Sequence, residues 1–264
     1  MAISQLDYLP ACVAGIETFI FGAQTNVGAP VVFVLHGRSG SAVGMFDICR
    51  EIADEGMVAI AIDQRNHGRR MVDQRANGGW NSHHAADMYS SLVGTASDVS
   101  LLIDMLPACL GLPVQKVGVT GGSMGGHASM VAMVLDQRIT VGAPLIGSGD
   151  YKHLMELRAA ENACPAGEFS QFFPPELAAA VEKYDPINHP ELFADRPLLM
   201  MNGDADSLVQ IACNQRFEAA CRPYYQHGDR LCLSVYPGLG HACPEEMWRE
   251  ATLWLKRWLI DEAL

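Results

Sequence analysis

The 264-residue sequence predicts an α/β fold: a single domain over residues 1–264, built on a mostly parallel β-sheet with helices on both faces. Three observations predict it. Short apolar runs of strand length alternate with helix-length segments along most of the chain. Some of these runs, Val31-Val32-Phe33-Val34-Leu35 foremost, are apolar without a break, as strands buried on both faces must be. The length is ample for one large core.

The elements follow in order. Residues 16–24 are expected to form an early edge strand. Pro30 opens the strand 31–35, which ends in His36-Gly37-Arg38-Ser39-Gly40. Residues 46–55 read as a helix stopped by Gly56. The strand 57–62 leads into Asp63-Gln64-Arg65-Asn66-His67-Gly68, where Arg65 is expected to brace the loop by an ion pair with Asp63. A polar loop over 69–84 carries Trp80, His83 and His84. Residues 87–106 read as a long helix ended by Pro107. A strand at 117–120 runs into Gly121-Gly122-Ser123-Met124-Gly125-Gly126, and an Ala/Met/Val-rich helix follows. On that helix His127 is expected to be packed. Residues 139–147 form another strand.

The alternation then lapses. Residues 148–196 read as a small cap-like insertion packed over the sheet, carrying the aromatic cluster Phe169, Phe172 and Phe173. The strand pattern returns at 197–202 and ends in Gly203-Asp204-Ala205-Asp206. Residues 211–221 form a helix, and the last strand, 231–236, ends in Pro237-Gly238-Leu239-Gly240-His241. An amphipathic helix over 244–260 closes the chain, with Trp248, Trp254 and Trp258 available to the core.

Composition narrows the function classes. A net charge of −12 repels nucleic acid and anionic membranes, so neither is expected as a partner. No segment approaches 18 uninterrupted apolar residues, and the first 37 residues lack the Lys or Arg with which a secretory signal starts. The eight cysteines contain no C-x-x-C pair and read as reduced core thiols. A cytoplasmic location is expected. Nothing in the sequence sets the oligomeric state. No H-E-x-x-H is present, and no metal or other cofactor is expected.

The chemistry is expected at Ser123. G-x-S-x-G between a strand and a helix holds the serine on a tight, strained turn, exposes its hydroxyl above the sheet and points a helix N-terminus at it. A serine hydroxyl needs a base near neutral pH, and the base needs an orienting carboxylate. In parallel sheets such groups gather beyond the carboxyl ends of strands. His241 and Asp206 stand at two such ends, giving the chain order Ser123, Asp206, His241. Asp204 competes with Asp206 for the acid. An oxyanion needs two donors: the backbone N–H of Met124 and one from the His36-Gly37-Arg38 turn, for which Arg38 is chosen. The Arg38 side chain reads as a solvated surface cation, with a substrate carboxylate as the other choice. Trp80, Phe169, Phe172 and Phe173 are candidates for an acyl pocket, with core or cap packing as the equal choice.

With these residues in place, the chain resembles the α/β-hydrolase superfamily from about Val31 to the C-terminal helix. The resemblance rests on His36-Gly37, the Gly121–Gly125 turn, Gly203-x-x-Asp206, Gly240-His241, and Asp63-x-Arg65-x-His67-Gly68 with Asn66 in place of a usual Gly. It leans towards the esterase and prolyl-oligopeptidase-like branches, without a counterpart of the latter's β-propeller. It implies an eight-stranded sheet and acyl transfer through a serine ester. The expected activity is that of a serine carboxylesterase acting on a small to medium ester through an acyl-enzyme at Ser123. A thioesterase, acyltransferase or small peptidase is the alternative, or a non-catalytic receptor on the same scaffold. Dehalogenases and epoxide hydrolases of this fold carry Asp where Ser123 stands.

Overall fold

The computed structural model describes residues 7–71, 82–161 and 173–262, with backbone alone over 82–85. Eight strands form one sheet: β1 (Tyr8–Val13), β2 (Ile16–Phe21), β3 (Val31–Leu35), β4 (Val58–Ile62), β5 (Val117–Gly122), β6 (Ile139–Leu145), β7 (Leu198–Gly203) and β8 (Leu231–Tyr236). Their spatial order is β1-β2-β4-β3-β5-β6-β7-β8. The first two strands run antiparallel to their neighbours, and the rest of the sheet is parallel. Among the described residues seven helices accompany it: α1 (Phe46–Asp54), α2 (Ser82–Leu110), α3 (Met124–Leu135), α4 (Tyr151–Glu161), α5 (Pro175–Tyr184), α6 (Ala212–Cys221) and α7 (Glu245–Lys256). This is the α/β-hydrolase architecture.

The period-two alternation of strands divides the core in two. Val31, Phe33 and Leu35 of β3 pack with α2 and α3, whereas Val32 and Val34 point to the other face, where α1 and α7 lie. Helix α3 is buried from Met124 to Val134, which suits a segment with scarcely a polar side chain. Trp248 and Trp258 are buried in the second cluster and Trp254 packs partly against it.

Two expectations are corrected here. The strand 16–24 is shorter and is not the edge: Tyr8–Val13 pairs on its outer side. The Ala14-Gly15 turn, with positive φ at both residues, makes that hairpin. Pro107 does not end α2, which runs on to Leu110. Proline lacks the N–H that would reach the Ile103 carbonyl and crowds that carbonyl, yet the chain stays helical for three residues beyond it. The stop is Gly111, in the left-handed region at φ +64°, whose N–H bonds the Pro107 carbonyl at 3.0 Å. By length and composition the stretch Ala86–Leu110, although interrupted by Asp87, Asp98 and Asp104, is apolar enough to cross a membrane. In the fold Tyr89, Leu92, Ala96, Val99 and Leu106 of that helix are core residues.

The segment between β6 and β7 holds α4 and α5. Leu154, Met155, Leu177 and Val181 from these helices join the same core cluster as α2 and α3. Its base is stapled twice: the Ile187 N–H bonds the Gly149 carbonyl at 2.8 Å, and Asp185 Oδ2 accepts the Tyr151 N–H at 2.8 Å. Asp185 thereby caps the first turn of α4 from beyond the end of α5.

Of the cysteines, Cys49, Cys213 and Cys221 are buried free thiols as expected, but Cys12 and Cys109 are exposed.

Candidate active site

The site forms where β3, β5, β6, β7 and β8 end. Leu35 lies beside Gly121 in the ladder, and Gly122 beside Leu145, so these strand ends stand level. Ser123 then takes φ +56° and ψ −115°, a conformation that a side chain strains. Its N–H bonds the Leu145 carbonyl at 2.9 Å, and its carbonyl opens the helix by accepting the His127 N–H at 3.0 Å. The turn abuts β3 so closely that a Cβ on Gly121 or Gly125 would lie 2.5 or 2.0 Å from the Leu35 carbonyl oxygen. Only glycine fits at either place.

Ser123 Oγ lies 2.8 Å from His241 Nε2, and His241 Nδ1 lies 2.7 Å from Asp206 Oδ2. The other oxygen of Asp206 accepts the Leu208 and Val209 N–H groups at 2.8 and 2.9 Å. Burial pushes the Asp206 carboxyl upward, but His241 and these two amides outweigh it and hold the group below the usual carboxylate range. Asp204 has a separate place: its Oδ1 accepts the Gly238 N–H at 2.6 Å and so shapes the loop that carries His241. The acid and histidine loops also meet through the Ala205 N–H on the Leu239 carbonyl at 3.1 Å.

On the β3 side, His36 is buried and its Nε2 accepts the Gln64 N–H at 3.0 Å. The proton is therefore on Nδ1, which donates to the Gly37 carbonyl at 2.7 Å. The Gly40 N–H binds the same carbonyl at 3.0 Å. Across a trans peptide the Arg38 N–H points opposite to that carbonyl. Two donors thus fix the direction of the N–H chosen from sequence. Met124 opens α3, so its N–H has no partner within the helix.

A cavity of about 470 Å³ joins these groups. Ser123, Met124, His241, Gly37 and Arg38 line it, with Met45, Met88, Ile146, Leu154, Leu208, Val209, Cys243 and Trp248 as its mostly apolar wall. Arg158 completes the wall. Arg38 is half-buried, with Nε covered, so its reading as a solvated surface cation is corrected. Burial lowers its pKa, opposed by the neighbouring Tyr151. His127 is buried as expected. Its Nδ1 accepts the Ser148 N–H at 2.9 Å, and burial lowers its pKa to about 4, leaving a neutral ring in the cavity wall.

Other expectations fare differently. Arg65 does not pair with Asp63. It makes a two-pronged contact with buried Asp98 of α2, at 3.0 and 2.7 Å, which Arg70 also reaches at 2.7 Å. Asp63 instead accepts the Ala42 and Arg69 N–H groups at 2.7 and 2.8 Å. The loop needs an acceptor for its backbone N–H groups there more than a counter-ion. Asn66 takes φ +61°, the left-handed place of the usual Gly. Phe173 packs partly buried against the core, while Trp80, Phe169 and Phe172 lie outside the described residues. Sequence reading missed Leu154 and Arg158, although their spacing of four puts them on one helix face. It also missed Met45, Met88, Leu208 and Val209, for which apolar character alone gives no signal.

The family described as Glucuronyl esterase, fungi, matches residues 22–228. The Escherichia coli esterase YjfP is 22% identical over 244 residues, covering 89% of this chain and 92% of that protein. Among solved structures, TT1662 from Thermus thermophilus superposes with a TM-score of 0.76 at 22% identity, covering 97% of this chain and 99% of the other. The Pyrococcus furiosus esterase Pf2001 superposes at 0.65 with 18% identity, covering 96% and 93%. An eight-stranded hydrolase sheet and a match spanning most of the chain agree: this protein belongs to the glucuronyl esterase family of the α/β-hydrolase serine esterases.

Proposed function

We propose that the protein is a serine carboxylesterase in which Ser123, His241 and Asp206 form the catalytic triad. The observation that carries this reading is the unbroken line of hydrogen bonds from Ser123 Oγ through the His241 ring to Asp206, at 2.8 and 2.7 Å, opening on the cavity. Ser123 Oγ bonds to the ester carbonyl carbon while His241 Nε2 takes its proton. The Met124 and Arg38 N–H groups hold the resulting oxyanion. Collapse breaks the bond to the alcohol oxygen, which leaves with the proton from His241. Water then repeats the sequence on the acyl-enzyme, giving its proton to His241 and releasing the acid and Ser123. Asp206 keeps the ring in the required tautomer throughout.

The cavity volume suits a small to medium ester. The name of the family adds esters of glucuronic acid to the substrates worth assaying. The test is covalent labelling by a fluorophosphonate together with hydrolysis of p-nitrophenyl esters of increasing acyl length and of methyl glucuronate. The reading expects prompt labelling and turnover, both abolished in Ser123→Ala. A folded protein that neither labels nor turns over any of these esters overturns it.

A further inference from the structure

The chain carries a net charge of −12, yet the charged residues among the described lining of the Ser123 cavity are both cations, Arg38 and Arg158. They come from different walls. Arg38 follows β3 on the oxyanion side. Arg158 lies on α4, one turn after Leu154, where its guanidinium bonds the Leu208 carbonyl of the acid loop and faces Glu161 at 3.8 Å. Asp206, the acid of the triad, has its oxygens on His241, Leu208 and Val209 and is not among the lining residues. The remaining wall is apolar apart from Ser123, Cys243 and the two histidines.

Holding two guanidinium groups against such a wall costs solvation. Each group has partners of its own, and each presents five donors in a planar fork suited to a carboxylate. A bound anion in the cavity they share adds to those partners in offsetting the solvation loss. A neutral acyl chain does not, and it would need only the methionine and leucine side chains.

We propose that the esters this enzyme hydrolyses carry a free carboxylate besides the ester group, and that Arg38 and Arg158 are the residues that bind it. The inference rests on the esterase reading above and names its substrate class: small hemiesters of dicarboxylic acids, or esters of hydroxy acids. In the first, the carboxylate stays on the acyl half; in the second, it leaves with the alcohol.

Matched pairs test it. On the acyl side, p-nitrophenyl hydrogen glutarate is compared with p-nitrophenyl pentanoate. On the alcohol side, p-butanoyloxybenzoate is compared with p-butanoyloxybenzamide. In one pair or the other, kcat/KM for the charged ester should exceed that for the neutral one by about tenfold or more, as a charge-assisted contact gives. The preference should shrink as salt is added, and in Arg158→Gln it should fall about tenfold, with partial recovery in Arg158→Lys. Should Arg158→Gln not fold, inhibition of the wild-type enzyme answers the same question: glutarate should compete with a neutral ester about tenfold more strongly than glutaramide. Turnover of the neutral esters with no preference for either charged one, or equal inhibition by glutarate and glutaramide, overturns the inference and leaves the esterase reading standing. Absence of both turnover and fluorophosphonate labelling overturns the reading beneath it.

Discussion

Ser123 carries a strained backbone and, in the proposed triad, the nucleophile, and the two separate by substitution. At φ +56° an alanine suffers the same clash as serine, whereas glycine does not. Ser123→Gly should therefore unfold at higher denaturant than Ser123→Ala, by about 1 kcal/mol, with both inactive. The two acids separate too. Asp206→Asn frees the imidazole to take the wrong tautomer and should cost about three to four orders of magnitude in kcat. Asp204→Asn only weakens the turn before His241 and should cost less than about tenfold, since the residue never meets the ring. Equal losses in steady-state assays of the two would reverse the assignment. The serine and the histidine were legible because glycines crowd about them for reasons of space and turn geometry. Asp204 and Asp206 stand two apart on one loop, and only the direction of each side chain distinguishes them.

At the scale of elements, the loop after β4 shows how charge is spent on placement. Asp98 on α2 is 2% exposed and holds Arg65 and Arg70, which are 49% and 26% exposed. Removing the cations strands a buried carboxylate, whereas removing the anion leaves two arginines able to turn to water. Arg65→Ala with Arg70→Ala should thus cost more stability than Asp98→Ala, by about 2 kcal/mol or more in urea unfolding. Helix α2 also marks a limit of sequence reading. Pro107 reads as a stop because proline lacks a donor and crowds the carbonyl four residues back, yet the buried face of the helix carries it past that residue and Gly111 is the true end. Strand β1 was passed over because Tyr8-Leu9-Pro10-Ala11-Cys12-Val13 lacks alternation and contains a proline, which an edge strand tolerates. The strands β3 and β8 were legible to the residue, being short apolar runs bounded by Pro or Gly-rich turns.

For the molecule as a whole, His127 sets part of the response to acid. Folded, its pKa is lowered to about 4 by burial; unfolded, it returns to about 6.5. Between these values the unfolded chain binds the extra proton, so stability rises with pH. The contribution is complete above about 6.5 and is lost as pH falls towards 4, for a total of about 3 kcal/mol. Denaturant titrations from neutral to acid pH should show this slope in the wild type. In His127→Asn, whose carbonyl can still accept the Ser148 N–H, it should be smaller. An unchanged slope would place the acid sensitivity elsewhere. The arrangement of sheet and helices was the most legible level of all, because alternating strand and helix periods leave few topologies open. The walls of the cavity were the least, because they are assembled from distant segments that share no pattern.

The double staple at the foot of α4 has an evolutionary corollary. Gly149 meets Ile187 and Tyr151 meets Asp185, so the chain leaving the sheet and the chain returning to it are clasped before either reaches the chamber. Whatever lies between α4 and α5 can be lengthened, trimmed or exchanged without unseating the helix that bears Arg158. A lineage could vary that length of chain while the floor of the chamber stays as it is.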